Sequence, residues 1–385
     1  MRTVCLLGAS GSIGGQSIEI MHKYRDNFRL LSFSVGKRTR CIRSILLKFP
    51  EVENVYVSKN AKKKYYQEKY PNVHFYSEKD TDLSGFIDKS NVEMVINALV
   101  GRVGLKPTIT ALENNKIVAL ANKESLVMGG EVVNSLLSQG KGKLVPIDSE
   151  HVGLAKCLNI DKENAKAFFI TASGGSLRDF PKEKIKEATI QDVLNHPNWV
   201  MGKKITVDSA TMMNKVFEII EAYYLFGIKG DNFKVFINRT SQIHAGIIYE
   251  DGYRIDYCKP DMRVPIKWAL FEGNIDYKTV FVKSLDVLNE QLLDLDFEKY
   301  PLLKYAGNTL KNVGTYGAAL NACNEIAVNS FLKGDIKYYQ IAEVIDNCMN
   351  SFKNKKNPSL EDIFKADKKM VKKAKLECLR LGGKR

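Results

Sequence analysis

Two acidic clusters and one helix face hold the residue types that could do chemistry in this chain. Asp148 and Glu150 follow a β-like run, and in extended backbone two residues so spaced point to the same side. With no cysteine beside them, their carboxylates suit a hard divalent cation, Mg²⁺ or Mn²⁺. On spacing alone the pair is a weak signal, and a helix-capping Asp followed by an exposed Glu is the more frequent explanation. Further on, Val207-Asp208-Ser209-Ala210-Thr211-Met212-Met213-Asn214-Lys215 opens a helix that continues through Glu218 and Glu221. Asn214 lies four residues before Glu218 and Lys215 three, so the three share a face offering amide, cation and carboxylate. Such a face suits a phosphate at one end and a metal at the other, although an ordinary amphipathic helix has the same pattern. Thr171-Ala172-Ser173-Gly174-Gly175 follows another β run, and its amides and hydroxyls could form an anion-binding nest.

A second chemistry sits near the start. Gly8-Ala9-Ser10-Gly11-Ser12-Ile13-Gly14 joins the first strand-like run to the first helical one. Glycines there let the backbone approach a pyrophosphate, whose charge the helix N-terminus favours. The spacing is GxxGxxG rather than the commoner GxGxxG, and a tight turn without ligand is the alternative. An NAD site would place an acid at the end of the second strand; here the strand ends in Gly36-Lys37-Arg38. Two cations at that position suit a 2′-phosphate, hence NADP. Asn122-Lys123-Glu124 and Asp148-Ser149-Glu150 end later strands, where open parallel sheets collect their ligands.

The elements that position these residues follow from periodicity. Strand patterns at 4–7, 30–35, 55–58, 73–76, 92–98, 117–121 and 144–147 alternate with helical ones such as 16–24 and 107–113. This predicts a doubly wound parallel sheet, Rossmann-like α/β, over residues 1–147. From 148 to 275 the pattern predicts an α+β catalytic domain, with strands at 167–171 and 234–237, a hairpin of 245–249 and 253–257 around Gly252, and one long helix over 210–224. A linker is expected over 276–300 and an all-α C-terminal domain over 301–385.

Composition limits the rest. At 385 residues the chain exceeds one ordinary core, and 44% hydrophobic with 26% charged residues fits a globular protein. No run approaches the ~20 apolar residues of a membrane span. The first strand begins almost at Met1, leaving no room for a signal or transit peptide. Seven scattered cysteines form no CxxC pair, which points to a reducing cytoplasm rather than a disulfide framework or zinc site. The net charge of +14 invites a nucleic-acid reading, but the lysines fall in short runs such as 62–64 without interleaved aromatics. A solvated surface, attractive to phosphorylated small molecules, is the expectation instead.

Taken together, these segments resemble the 1-deoxy-D-xylulose 5-phosphate reductoisomerase family. The resemblance is carried in order by the glycine loop 8–14, Ala121-Asn122-Lys123-Glu124-Ser125-Leu126-Val127, Pro146-Ile147-Asp148-Ser149-Glu150-His151 and Thr171-Ala172-Ser173-Gly174-Gly175. It continues through His196-Pro197-Asn198-Trp199, Met201-Gly202-Lys203-Lys204, the run 208–215, Pro260-Asp261-Met262-Arg263-Val264-Pro265-Ile266 and Asn321-Ala322-Cys323-Asn324-Glu325-Ile326-Ala327-Val328. The resemblance implies a metal- and NADPH-dependent conversion of 1-deoxy-D-xylulose 5-phosphate to 2-C-methyl-D-erythritol 4-phosphate by a homodimer. It implies Asp148, Glu150 and Glu218 as metal ligands, and Lys123 and Ser149 near the reacting carbons. Ser173, His196, Ser209, Asn214 and Lys215 would bind the substrate or its phosphate, with Trp199 on a flap over it. The cofactor would meet Ser10, Gly11, Ser12, Ile13, Gly36, Lys37, Arg38, Asn122, Glu124 and Gly202. His151 and His244 are expected to be structural. One departure stands out: relatives carry His-Pro-Gln-Ser where this chain has Asn238-Arg239-Thr240-Ser241. Two rival functions remain in view: an NADPH-dependent reductase of another phosphorylated keto-sugar without rearrangement, and a basic nucleic-acid-binding protein on a nucleotide-binding scaffold.

Overall fold

A computed structural model describes residues 1–160, 162–228, 232–275 and 277–383. Asp276, the first residue of the expected linker, and the last two residues of the expected C-terminal domain lie outside the described residues. The chain divides into two compact units.

The first comprises Met1–Ser125, Val133–Asp148 and Asp261–Ile275. Its seven strands are β1 Arg2–Leu7, β2 Phe28–Val35, β3 Asn54–Val57, β4 His74–Tyr76, β5 Met94–Asn97, β6 Ile117–Leu120 and β7 Lys143–Pro146. They are parallel throughout, in the order β4-β3-β2-β1-β5-β6-β7. All seven strands expected from the sequence are present, with ends shifted by a few residues, and the Rossmann-like sheet is borne out. The order reverses between β1 and β5, which opens a crevice above their carboxyl ends. Val4, Cys5, Leu6 and Leu7 are fully buried, as a central parallel strand covered on both faces requires. Residues 261–275 pack into this unit too. Phe271 meets the rings of Tyr24 and Phe28 edge-on at 5.5 and 5.1 Å, and Arg2 donates to the Leu270 carbonyl at 3.2 Å.

The second unit comprises Leu126–Val132, Ser149–Pro260 and Asp276–Arg385. Its sheet joins β8 Ala167–Ala172, β9 Phe233–Ile237, β10 Ile243–Ile248, β11 Tyr253–Tyr257, β12 Val280–Val282 and β13 Leu293–Asp294. The order is β12-β11-β10-β8-β9-β13, with β8 and β9 parallel and the other pairs antiparallel. The expected hairpin is β10–β11. Both edge strands come from residues 276–300. The helices Tyr316–Leu332, Gln340–Met349 and Leu360–Leu381 supply the expected helical C-terminal region. They do not hold a core of their own: Met213, Val216, Phe217 and Ile220 join Leu320, Cys323, Phe331, Ile341 and Ile345 in one cluster of buried side chains.

One sequence expectation is corrected. The long helix expected over 210–224 is Met213–Phe226, and it starts three residues later than expected; a separate helix, Lys203–Ala210, precedes it, with Met212 between them in the left-handed conformation at φ +62°. A methionine there costs roughly 1–3 kcal/mol. Burial of Met212 to 2% exposure offsets that cost, as does the Tyr338 hydroxyl, which donates to the Ala210 carbonyl at 2.8 Å. All seven cysteines are free thiols, and no helix among the described residues is long and apolar enough to cross a membrane.

Candidate active site

In the first unit the site is built mainly from backbone. After β1 the chain turns at Gly8, φ +86°, where a Cβ would lie 2.5 Å from the Ala98 carbonyl oxygen. A Cβ on Gly14 would lie 2.4 Å from the Gly8 oxygen, so both glycines are demanded by close packing. Gly11 caps the helix Ser12–Lys23, whose N-terminus has no side-chain cap and no acid in its first turn. That polarity favours an anion beside Ser10, Gly11, Ser12 and Ile13. The Gly8 and Ala9 amides each donate to Ser34 on β2, at 2.9 Å, so the glycine loop is tied to that strand's end. Gly36, Lys37 and Arg38 emerge there exposed, and among the described residues neither cation enters an ion pair.

Asn122, also expected at the cofactor, is fully buried. Its amide donates to the carbonyls of Leu99 and Gly101 and to Glu124, at 2.9–3.1 Å, and its oxygen accepts from the Ser125 amide. It thereby locks the loop after β5 to the loop after β6. The Lys123 ammonium stands 2.5 Å from the Asp148 carboxylate, at the ends of neighbouring strands β6 and β7.

In the second unit the site is made of side-chain charge. The helix Ser149–Leu158 starts directly after Asp148, and the Ser149 hydroxyl donates to the Glu150 carboxylate. Lys215, on the helix Met213–Phe226, reaches the other Glu150 oxygen at 2.8 Å. It also pairs with Glu218 one turn along and donates to the Thr171 carbonyl. Carboxylate oxygens of Glu150 and Glu218 lie within 4.8 Å of each other. Burial draws the Lys215 pKa down, but Glu150 and Glu218 outweigh it and hold the ammonium above the ordinary lysine value. The Asn214 amide donates to Glu218. Lys215 and Glu218 are 3% and 1% exposed, so this face is a buried polar cluster rather than the solvated side of a helix.

His151 is fully buried beside this cluster, its Nε2 2.9 Å from the Glu218 carbonyl and its Nδ1 3.4 Å from Glu221. It holds the backbone that presents Glu218.

The loop after β8 adds hydroxyls. Gly174 and Gly175 both have positive φ, and a Cβ on Gly175 would lie 2.6 Å from the Ser209 oxygen. Ser173 and Ser209 are therefore carried on two segments in van der Waals contact. The Ser173 hydroxyl lies 3.0 Å from His196 Nε2, while His196 Nδ1 accepts the amides of Asn198 and Trp199 at 3.1 and 3.0 Å. Nδ1 being an acceptor, the neutral ring carries its proton on Nε2 and donates to Ser173. Burial, and then the Arg178 charge, lower the His196 pKa to about 4. Trp199 is half-buried, its ring 6.3 Å from that of His244. Gly202 is exposed and caps the helix Lys203–Ala210.

Sequence reasoning passed over Arg178. Its guanidinium donates to the carbonyls of Ser173 and Arg239, both at 2.9 Å, and so braces the serine loop. Its only signal was a cation three residues after the glycine pair.

Comparison with known proteins agrees along the whole chain. Residues 4–130 match the 1-deoxy-D-xylulose 5-phosphate reductoisomerase family model, and 144–226 and 258–373 match models of its C-terminal domains. The 1-deoxy-D-xylulose 5-phosphate reductoisomerase of Listeria innocua is 37% identical over 375 residues, covering 95% of this chain and 97% of its own. That of Clostridium novyi is 38% identical over 385 residues, covering 96% and 97%. A crystal structure of DOX-P reductoisomerase with NADPH, fosmidomycin and magnesium superposes with a TM-score of 0.87 at 31% identity, over 98% of each chain. The Zymomonas mobilis enzyme with NADPH gives 0.85 at 28% identity, over 98% and 99%. With identity of this order spread over nearly its entire length, the chain belongs to the 1-deoxy-D-xylulose 5-phosphate reductoisomerase family.

Proposed function

We infer that this chain converts 1-deoxy-D-xylulose 5-phosphate and NADPH into 2-C-methyl-D-erythritol 4-phosphate and NADP⁺. The carbon skeleton rearranges to a branched aldehyde, which is then reduced; one proton is taken up with the hydride. The observation that carries this reading is the pair of carboxylates, Glu218 buried and Glu150 partly buried, around the buried Lys215, in a chain of this family.

The residues fit both helper groups. Glu150 and Glu218 offer hard oxygen donors within 4.8 Å of each other, with no sulfur among them, which suits Mg²⁺ or Mn²⁺. The uncapped helix beyond Gly11 and the exposed Lys37 and Arg38 suit a phosphorylated dinucleotide. When bound, a divalent cation held by Asp148, Glu150 and Glu218 supplies Lewis acidity, and NADPH supplies the hydride.

The chain's own groups do the rest. Lys123 and Ser149 bind beside the reacting carbons. Ser173, His196, Ser209, Asn214 and Lys215 bind the substrate or its phosphate. Trp199 covers the substrate on a lid spanning roughly 188–204 and excludes water. Because the phosphate contacts include His196 on the lid, binding energy from the unreactive end goes into closure. Ser10, Gly11, Ser12, Ile13, Gly36, Asn122, Glu124 and Gly202 belong to the cofactor's surroundings in the same proposal. The division into 1–147, 148–275, a linker over 276–300 and 301–385, a homodimeric state, and work in the cytoplasm without nucleic acid belong to the same proposal. Free thiols support work in the cytoplasm.

The deciding experiment follows NADPH oxidation with 1-deoxy-D-xylulose 5-phosphate, with and without Mn²⁺, and identifies the product. Metal-dependent turnover to the branched tetritol phosphate is expected. A linear product would establish a keto-sugar reductase instead, and metal-independent turnover would remove the assigned ligands.

A further inference from the structure

The turn 238–242 is in direct contact with the segment that carries His196 and Trp199. Asn238 is fully buried. Its oxygen accepts the amides of Gln242 and Ile243 at 3.0 and 3.1 Å. Its amide donates to Glu290 at 2.6 Å and to the Gln291 carbonyl at 3.2 Å. The Thr240 hydroxyl lies 2.7 Å from the same Glu290 carboxylate, and the Gln242 amide donates to it at 3.2 Å. Glu290, 3% exposed, has no ion-pair partner among the described residues and is held by these three neutral donors.

This clamp encloses Ser241, a buried non-glycine residue at φ +57°, a conformation that persists only where its surroundings over-determine it. The Ser241 hydroxyl accepts from the Asn198 side-chain amide at 2.6 Å, and the same amide reaches the Arg239 carbonyl at 2.8 Å. Asn198 lies between His196 and Trp199, and its backbone amide donates to the His196 ring. One side chain thus joins the residues assigned to phosphate and to cover with a fixed point on the sheet's connecting turn.

We propose that Asn198 is a positioning residue, the latch that docks the lid on the turn 238–242, and that the Glu290 clamp sets the seat by holding Ser241 in its left-handed conformation. This rests on the proposed role of the lid over substrate, so it needs a readout that works without substrate as well as one that requires it. The full-length variants Asn198→Ala, Ser241→Gly, their double and Glu290→Gln serve, glycine being the replacement that tolerates the backbone at 241. Tryptic cleavage after Lys203 in ligand-free enzyme measures docking directly. KM for substrate and Ki for a phosphonate substrate analogue with Mn²⁺ measure its use. Loss of one hydrogen-bonded contact predicts cleavage about fivefold faster and KM and Ki about fivefold higher in Asn198→Ala, with Tm and ligand-free NADPH affinity unchanged. Ser241→Gly should add little to Asn198→Ala, because both remove the same contact. Glu290→Gln should move the same quantities in the same direction. Unchanged cleavage in Asn198→Ala, or additive effects in the double, overturns the latch. Faster cleavage with unmoved KM and Ki overturns the positioning role. Failure of the wild-type enzyme to rearrange the substrate would count against the proposed function alone, since ligand-free cleavage still decides the latch.

Discussion

The two units hold positive charge in opposite ways. Lys37 and Arg38 in the first are exposed and enter no ion pair among the described residues, so they cost the fold nothing and wait for an anion. Lys215 in the second is 3% exposed and already shared by Glu150, Glu218 and a carbonyl. There the fold itself depends on the charge balance. A nucleotide site of the first kind combines backbone geometry with spare surface cations; a site of the second kind is a buried network in which each member keeps the others tolerable. Stability and ligand affinity should therefore separate cleanly in the first unit and stay entangled in the second.

The largest effect expected from this contrast is at Lys215. Lys215→Met keeps much of the side chain's length but leaves the buried Glu218 facing the partly buried Glu150 with no cation between them, a defect worth about 3–5 kcal/mol. Denaturant unfolding should show that loss in metal-free protein, and added Mg²⁺ should recover more of it in the variant than in wild type. A variant as stable as wild type would mean that the cluster is not a compensated network.

A smaller effect is expected at the other pole. Lys37→Ala with Arg38→Ala should raise KM for NADPH tenfold or more, about 1.4 kcal/mol or above, and leave KM for NADH and the Tm nearly unchanged. Equal losses for both nucleotides would remove these cations from the 2′-phosphate. A lowered Tm would erase the distinction between the two units.

The same difference decided what could be read from the sequence. The parallel sheet was legible because strands buried on both faces, such as Val4-Cys5-Leu6-Leu7, form continuous apolar runs ending in glycine turns. Lys37 and Arg38 stood out because the strand-end position is informative by itself. In the second unit, Lys215 and Glu218 were legible as one helix face, but Glu150 lies 65 residues earlier and was joined to them only through the family resemblance. The break at Met212 was hidden, since no glycine or proline marks it and tertiary contacts alone hold it. Strands β12 and β13, of three and two residues, are too short to show alternation and fell within the expected linker. The Asn198–Ser241 contact spans 43 residues and leaves no sequence signature.

The smallest predicted effect lies in the proposed lid, where a titratable group is kept neutral. His196 Nδ1 accepts two backbone amides, so protonating it would set an N–H against two N–H donors. Burial first, then Arg178, lower its pKa from the ordinary 6.5 to about 4. In an undocked lid the ring would return toward 6.5. The docked lid therefore binds fewer protons than the undocked one between about pH 4 and 6.5, and it is destabilised as pH falls through that window. Above 6.5 both states are neutral and docking should not depend on this group. Trp199 emission reports docking once Trp268, the second tryptophan, is replaced by Phe. In ligand-free Trp268→Phe enzyme the emission should be flat from pH 8 to 7 and move toward the solvent-exposed value below about 6.5. His196→Asn, which cannot titrate, should flatten the profile. A transition that survives in His196→Asn would assign the titration to another group, and one that strengthens docking on acidification would reverse the sign derived from the ring's two amide donors.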